Sequence, residues 1–230
     1  MTVPVTGATI SRQAIFLFFC LFLLAACAAP GPDNTVALRQ GDCVACQTAF
    51  PQGDWQFVHE VVFRFRGGEG RFLGIVSLDN DQLRCALTTV EGLTVFSAQA
   101  PKRPSGPAGG PIQVERALPP LDKPGFAAGL LADLRLLFIA PTGLPSCGWR
   151  DGERLCRWRD AGAIEDVAID KMNCWSIQAF QGERLVRTTW ASDCVSRDGY
   201  ALPGLISLRA SGDANYQLEM RLIRAEKTGK

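Results

Sequence analysis

The sequence contains few of the residues on which enzymes and nucleic-acid-binding proteins commonly depend. Its only histidine is His59, and its formal net charge is +1, from 24 basic and 23 acidic side chains among 230 residues. A balanced charge argues against a nucleic acid partner, because such binding needs an excess of Lys and Arg. The chain has neither a G-x-S-x-G nucleophile elbow nor a glycine-rich loop placed after a strand. We therefore expect no enzyme activity and no cofactor.

No apolar run reaches the roughly 20 residues that a membrane-spanning helix needs. The run Ala14–Ala26 has 13 residues, follows a leader whose only charge is Arg12, and ends in small residues before Cys27. This arrangement is typical of a signal peptide. One interpretation is an ordinary secretory leader that happens to contain Cys27.

The other interpretation comes from a resemblance. Residues Leu24–Cys27 resemble the bacterial lipobox, in which the cysteine is lipidated and the leader is then removed. The resemblance implies a mature chain that begins at Cys27 and is anchored to membrane lipid by N-terminal acylation with palmitate-like chains. Ala28 at the next position favours the outer membrane, with the domain facing the periplasm.

Three regions follow from this interpretation. Residues 1–26 are predicted to be a lipoprotein signal peptide, 27–53 a lipidated N-terminus and tether, and 54–230 a single β domain. The stretch that contains Pro30, Gly31 and Pro32 has the turn-forming composition of a tether. About 200 residues remain after cleavage, enough for one domain with a sizeable core.

Cysteines in an exported domain usually pair, because the compartment is oxidising. An odd number remains once Cys20 leaves with the leader and Cys27 is lipidated, so at least one thiol is expected to stay unpaired. The remaining cysteines are Cys43, Cys46, Cys85, Cys147, Cys156, Cys174 and Cys194.

Geometry favours one disulfide above the others. Asp151 and Gly152 are typical of a two-residue hairpin turn, and counting outward from them places Cys147 opposite Cys156. We predict a bond between these two residues. A second bond, Cys174 to Cys194, needs a bulge or a different loop.

The C-x-x-C formed by Cys43 and Cys46 has three interpretations: a structural staple, a bond from one of the two to Cys85, or a reactive thiol. A redox thiol is usually activated at a helix N-terminus within a βαβ unit, and no strand of such a unit precedes this motif. A zinc site lacks ligands, because no second close-spaced cysteine pair exists and His59 is the only imidazole. We therefore predict no metal.

Alternating apolar and polar residues predict a meander of strands on each side of one helical insertion. The helix begins near Asp122 and Pro124 and runs from Phe126 to about Leu134, and 134–139 either continues it or forms a strand. A helix that is apolar on nearly every face must be buried. The predicted fold is mainly β: a curved antiparallel sheet or unclosed β-barrel of about 10–11 strands with the helix packed in its hollow.

That order of elements is similar to the lipoprotein-localisation carrier and receptor proteins of the LolA and LolB fold, over roughly Asp54 to Glu226. The stretches FVHEVVFRFRGG, LGIVSLDNDQLRCALTT and ALPPLDKPGFAAGLLADLR also look like bacterial lipoproteins of similar size. The LolA and LolB fold implies an apolar hollow that holds acyl chains under a helical lid. The dense cysteines depart from that pattern.

The predicted ligand cavity is lined by one face of the first long strand and by the helix. His59 lies on the same face as the phenylalanines, where an interior histidine is more common than a catalytic base. The expected lining residues are Phe57, His59, Val61, Phe63, Phe65, Phe126, Leu130 and Leu134.

Three functional hypotheses remain open at this point. The first is a lipoprotein that binds or transfers a lipid or acylated ligand, with affinity supplied by apolar burial. The second is a structural or assembly lipoprotein with a dense core that docks to another envelope protein. The third is an enzyme with a reactive thiol at Cys43 or Cys46.

Overall fold

The computed structural model describes residues 31–33, 36–40, 43–103, 110–212 and 215–229. The predicted signal peptide and the predicted lipidation of Cys27 lie outside the described residues. Among the described residues, no helix is both long enough and apolar enough to span a membrane.

Most of the chain forms one large antiparallel sheet of 13 strands that is not closed into a barrel. The helices are α1 (Val44–Thr48) and α2 (Phe126–Phe138). The strands are β1 (Arg39–Gln40), β2 (Trp55–Phe65), β3 (Gly68–Asp79), β4 (Gln82–Thr88), β5 (Thr94–Pro101), β6 (Gln113–Ala117), β7 (Ser146–Arg150), β8 (Glu153–Asp160), β9 (Ala163–Ile169), β10 (Trp175–Gln181), β11 (Arg184–Ser192), β12 (Val195–Arg197), β13 (Tyr200–Leu202), β14 (Leu205–Ala210) and β15 (Tyr216–Lys227).

Strand order shows how the two meanders join. It runs β1-β7-β8-β9-β10-β11-β14-β15-β2-β3-β4-β5-β6, so the last strand, β15, pairs with the first long strand, β2. Strands β12 and β13 form a separate two-stranded sheet. The predicted fold class is confirmed, but the predicted strand number is too low. The short strands β1, β6, β12 and β13 were missed because they carry little apolar alternation.

Helix α2 supplies the inner layer of the core. It buries Leu130, Leu131, Leu134 and Leu137 at the core of the sheet. The helix continues to Phe138, so the alternative of a strand over 134–139 is wrong. It ends where the backbone becomes extended at Ile139, two residues before Pro141, as expected when a proline approaches.

The described residues within 31–50, which we call the N-terminal clasp, supply the edge strand β1 and contact both faces of the neighbouring β7–β8 hairpin. Strand β1 pairs with β7, with Arg39 opposite Cys147. On one face of β7 a Cβ at Gly148 would lie 2.7 Å from the Ala37 carbonyl oxygen, so glycine permits this close approach. The described residues of the predicted tether therefore pack against the domain.

A buried ion pair fixes the clasp to that face. Arg157 of β8 donates to both carboxylate oxygens of Asp166 of β9, at 2.6 Å each, and to the Asp33 carbonyl oxygen at 2.9 Å. Both side chains of the pair are buried. The hydrogen bonds to Asp166 raise the pKa of Arg157. The backbone of the clasp thus supplies a further acceptor to the buried guanidinium.

Two disulfides fix the clasp to the opposite face of the same hairpin. Cys43 bonds to Cys147 and Cys46 bonds to Cys156. The predicted bond between Cys147 and Cys156 is therefore wrong, although the register that places them opposite each other is correct. Residues three apart at a helical turn lie on one side of it, so Cys43 and Cys46 match the spacing of the cross-strand pair.

The other cysteines are simpler. The predicted bond between Cys174 and Cys194 is confirmed. Cys85 is free and buried, so the suggested bond from the C-x-x-C motif to Cys85 is wrong. One thiol is unpaired among the seven cysteines that the structure describes, as their odd count requires.

Candidate ligand site

The structure divides the predicted cavity lining among three spaces. Phe63, Phe65, Phe126 and Leu130 line an open cleft at one end of the sheet, which we call the helix cleft. The other predicted residues lie deeper. Phe57 and His59 border a small space of about 10 Å³, and Val61 and Leu134, again with Leu130, border one of about 20 Å³.

The helix cleft has a volume of about 570 Å³. Small-molecule sites commonly have about 300–1,000 Å³, so the cleft has the size of a ligand site. Its wall also includes residues that the sequence did not single out: Arg66, Pro120, Leu121, Lys123, Pro124, Gly125, Gly129, Arg187, Asn215 and Tyr216.

Aromatic rings form the floor of the cleft. The Phe63 ring stacks on Tyr216 with centroids 5.0 Å apart and contacts Phe126 at 5.8 Å. Phe126 meets Phe96 edge to face at 5.1 Å. At Gly129 a Cβ would meet no atom within 4 Å, so the cleft has free space beside the first turn of α2. The surface can accommodate an apolar chain.

A polar cluster ties α2 to the sheet beside this floor. Arg187 of β11 donates from Nε to Asp133 Oδ1 at 2.8 Å, and the Tyr216 hydroxyl donates to Asp133 Oδ2. The Arg187 guanidinium also lies over the Tyr216 ring, 5.6 Å from its centroid. Asp133 is buried, and burial raises its pKa to about 6 against the opposing effect of Arg187. Sequence reasoning missed this cluster, although an aspartate within an apolar helix is a usable signal.

A second polar contact holds the same helix further along. Arg135 donates from Nε and Nη2 to the Pro101 carbonyl oxygen at 3.1 and 2.8 Å. The remaining buried face of α2 is apolar. Helix α2 is therefore attached to the sheet by polar contacts at Asp133 and Arg135 and by van der Waals packing, without a covalent bond.

His59 is an interior residue. Its side chain is 1% exposed and lies beside the stacked rings of Phe57 and Phe138, at centroid distances of 6.1 and 5.8 Å. Its Nδ1 atom has no hydrogen-bond partner among the described residues. Desolvation by burial lowers the pKa of His59 to about 4. The imidazole is therefore neutral at pH 7 and enclosed by apolar side chains.

The space beneath the middle of α2 contains the free thiol. Cys85 borders it together with Leu130, Leu134 and Gly74. A Cβ at Gly74 would lie 2.5 Å from Val61 Cγ2, which explains the glycine at this packed position. Burial raises the pKa of the Cys85 thiol to about 12, which disfavours the reactive thiolate form.

Cys43 and Cys46, the residues on which the thiol-enzyme hypothesis depends, are both in disulfides. Over the described residues, no group of three or more His, Cys, Asp or Glu side chains is arranged to hold a metal ion.

Comparisons with known proteins identify the fold. No family model matches the chain, and no curated protein matches it. Among solved structures, the chain is similar to a LolA superfamily protein from Nitrosomonas europaea, with a TM-score of 0.51 and 12% identity over 81% of this chain and 91% of that one. The fold is therefore LolA/LolB-like, as the sequence resemblance implied.

Two further solved structures match at lower TM-scores. A putative outer membrane lipoprotein-sorting protein domain from Vibrio parahaemolyticus has a TM-score of 0.47 and 10% identity, covering 79% of this chain and 88% of that one. A DUF1329 family protein from Desulfovibrio piger has a TM-score of 0.49 and 8% identity, covering 80% of this chain and 89% of that one.

Proposed function

We propose that this protein is an envelope lipoprotein, anchored through Cys27, whose periplasmic domain binds or transfers a lipid or acylated ligand through the helix cleft. The observation that supports this most directly is the cleft of about 570 Å³, floored by Phe63, Phe126 and Tyr216, within a LolA/LolB-like fold. Three disulfides agree with an exported domain, because such bonds persist in oxidising compartments.

The mechanism follows from how α2 is attached. Leu130 and Leu134 fill the interior of the sheet, and an acyl chain that replaced them would bury a similar apolar surface. Since burial contributes about 25 cal/mol per Å² for either occupant, exchange of helix side chains for ligand has a small net cost. The cleft is where a chain enters, and α2 is the cover that it displaces.

This proposal predicts little selectivity among head groups and no chemical step. Affinity comes from apolar burial, and the polar groups nearest the floor, Arg187 and Asp133, are already bonded to each other. A ligand that reached the interior would also contact Cys85. The ligand class is thus defined by its acyl chain.

The test is a binding titration with a fluorescent palmitoylated peptide, read by anisotropy. Gly129→Trp places an indole in the free space of the cleft and is expected to weaken binding at least tenfold, while Ala128→Trp, on an exposed position of the same helix, leaves it unchanged. Circular dichroism checks that both variants fold. Equal affinity of the two variants would contradict binding in the cleft.

The second candidate is an assembly lipoprotein with a filled core. The spaces of about 10 and 20 Å³ beneath α2 favour it, because they leave no room for a chain while the helix is in place. It predicts that the palmitoylated peptide binds neither the native protein nor the Ala128→Trp variant. It also predicts that a thiol-reactive maleimide does not label the buried Cys85 at any peptide concentration.

A further inference from the structure

The described chain begins next to a particular turn of the sheet. A Cβ at Gly31 would lie 3.7 Å from the Glu183 carbonyl oxygen, in the turn that joins β10 to β11. Two residues later the Asp33 carbonyl oxygen accepts the hydrogen bond from buried Arg157. The first described residues of the chain therefore lie against the sheet at this turn.

Strand register places this turn at the same end of the sheet as the helix cleft. Gln181 pairs with Arg184 beside the turn, and Arg187, which lines the cleft, is three residues further along β11. Arg187 pairs with Ala210, Ala210 with Tyr216, and Tyr216 with Phe65. At about 3.3 Å per residue, Glu183 lies roughly 13 Å along the strand from Arg187.

The anchor has a short reach from this point. Cys27 precedes Gly31 by four residues, and four residues span at most about 14 Å. We infer that the mouth of the helix cleft faces the bilayer in which Cys27 is anchored, an inference that rests on the lipid anchor of the proposed function. The surface partner of this end of the domain is thus the membrane itself.

The rim of the cleft has the chemistry of a membrane interface. Phe65 is 36% exposed at the end of β2, and Arg66 and Lys123 line the mouth beside it. Aromatic rings and long cationic side chains suit the head-group region, where the ring meets acyl chains and the charge meets lipid phosphate. An acyl chain then passes between bilayer and cleft without crossing bulk water.

Förster resonance energy transfer from a donor dye on the protein to an acceptor lipid in the membrane tests this orientation. The lipidated full-length protein is placed in phosphatidylethanolamine and phosphatidylglycerol vesicles that contain a rhodamine lipid, with a maleimide donor at Glu183→Cys or at Asp81→Cys. Asp81 lies in the turn at the opposite end of β3, a strand of 12 residues. The described native cysteines are bonded or buried, so the donor goes to the introduced thiol.

We expect transfer from Glu183 to exceed transfer from Asp81 by about twofold or more, because β3 separates the two ends of the sheet by roughly 35 Å. A glycine-serine spacer of about 20 residues inserted after Pro30 removes the difference, since a flexible linker of that length extends the reach by about 25 Å. Equal transfer, or greater transfer from Asp81, with the native tether overturns the inference. Loss of vesicle binding is expected in Cys27→Ala, and its retention overturns the anchor premise.

Failure of the proposed function gives a different result. If the cleft binds no acyl ligand, the palmitoylated peptide fails to bind while the difference in transfer persists. If only the orientation is wrong, the peptide binds and the difference is absent. The Gly129→Trp variant provides the internal control, because it blocks the cleft and is expected to leave the transfer unchanged.

Discussion

The N-terminal clasp and helix α2 both cover the sheet, but they are fastened in different ways. The clasp is joined to the β7–β8 hairpin by two disulfides and by the buried Arg157–Asp166 pair. Helix α2 is held by polar contacts at Asp133 and Arg135 and by apolar packing. In the proposed function, covalent attachment suits an element that stays in place near the lipid anchor, and non-covalent attachment suits a helix that a ligand displaces.

The largest effect is expected from removing the two disulfides that hold the clasp. The two clasp bonds join residues 104 and 110 apart and close nearly the same loop. Removing both by Cys→Ala substitution at the four positions is therefore expected to cost about 4–5 kcal/mol or more in the free energy of unfolding, because either bond alone still closes that loop. The bond between Cys174 and Cys194, with a separation of 20, is the control at about 3 kcal/mol. Urea denaturation measures both, and a clasp variant as stable as wild type would remove the distinction between the two covers.

The polar half of the clasp is expected to contribute nearly as much. Asp166→Asn removes the buried carboxylate that accepts two hydrogen bonds from the Arg157 guanidinium, which costs about 3–5 kcal/mol. The matched control is Arg64→Gln, which breaks a half-exposed pair with Glu69 and costs less than about 1 kcal/mol. Equal losses in urea denaturation would show that the clasp does not depend on this pair.

Two ionisable groups at α2, His59 and Asp133, are expected to make the free energy of unfolding depend on pH. The pKa of His59 falls from 6.5 to about 4 on folding. Below pH 6.5 the unfolded chain therefore binds more protons than the folded protein. The contribution of His59 to the free energy of unfolding is full above pH 6.5 and is lost as the pH falls towards 4. The difference amounts to roughly 3 kcal/mol. His59→Phe should remove it, which denaturation at pH 7 and pH 4.5 measures.

The pH dependence of stability that Asp133 contributes has the opposite sign, because its pKa rises from 3.8 to about 6 on folding. Its contribution to stability is full below pH 3.8 and is lost as pH rises through 6. Asp133 therefore partly masks the His59 effect in the native protein. A pH profile for His59→Phe that matched wild type would show that the histidine is not desolvated.

The smallest effect is expected from weakening the polar contact that holds α2 to the sheet. Asp133→Asn replaces one of the two oxygens that accept hydrogen bonds from Arg187 and Tyr216 with an NH2 group, which cannot accept. The lost hydrogen bond is expected to favour opening of α2 by about 1–2 kcal/mol, or about tenfold in the labelling rate of the Cys85 thiol. The matched control is Lys102→Gln, which breaks an ion pair with Asp54 away from the cleft. An unchanged labelling rate in Asp133→Asn would mean that the helix does not move as a cover.

Much of the fold was predictable from the sequence because long half-buried strands alternate visibly. The hairpin around Asp151 and Gly152 was placed in its correct register from the turn residues alone. The bond partners of Cys147 and Cys156 were not predictable in the same way, since they depend on a helical turn about 100 residues away. The predicted lining of the hollow is likewise split by packing, because α2 fills the space beside Val61 and leaves open the space beside Phe63.

The sequence by itself determined the strand pattern, the buried helix and an odd number of thiols, because these follow from local periodicity and composition. Only the tertiary structure decided that Asp133 meets Arg187, that the clasp crosses the sheet edge, and that Gly31 lies at the end of the sheet where the cleft opens. These contacts join residues far apart in the chain, and their geometry is set by strand order and register, which no local pattern records.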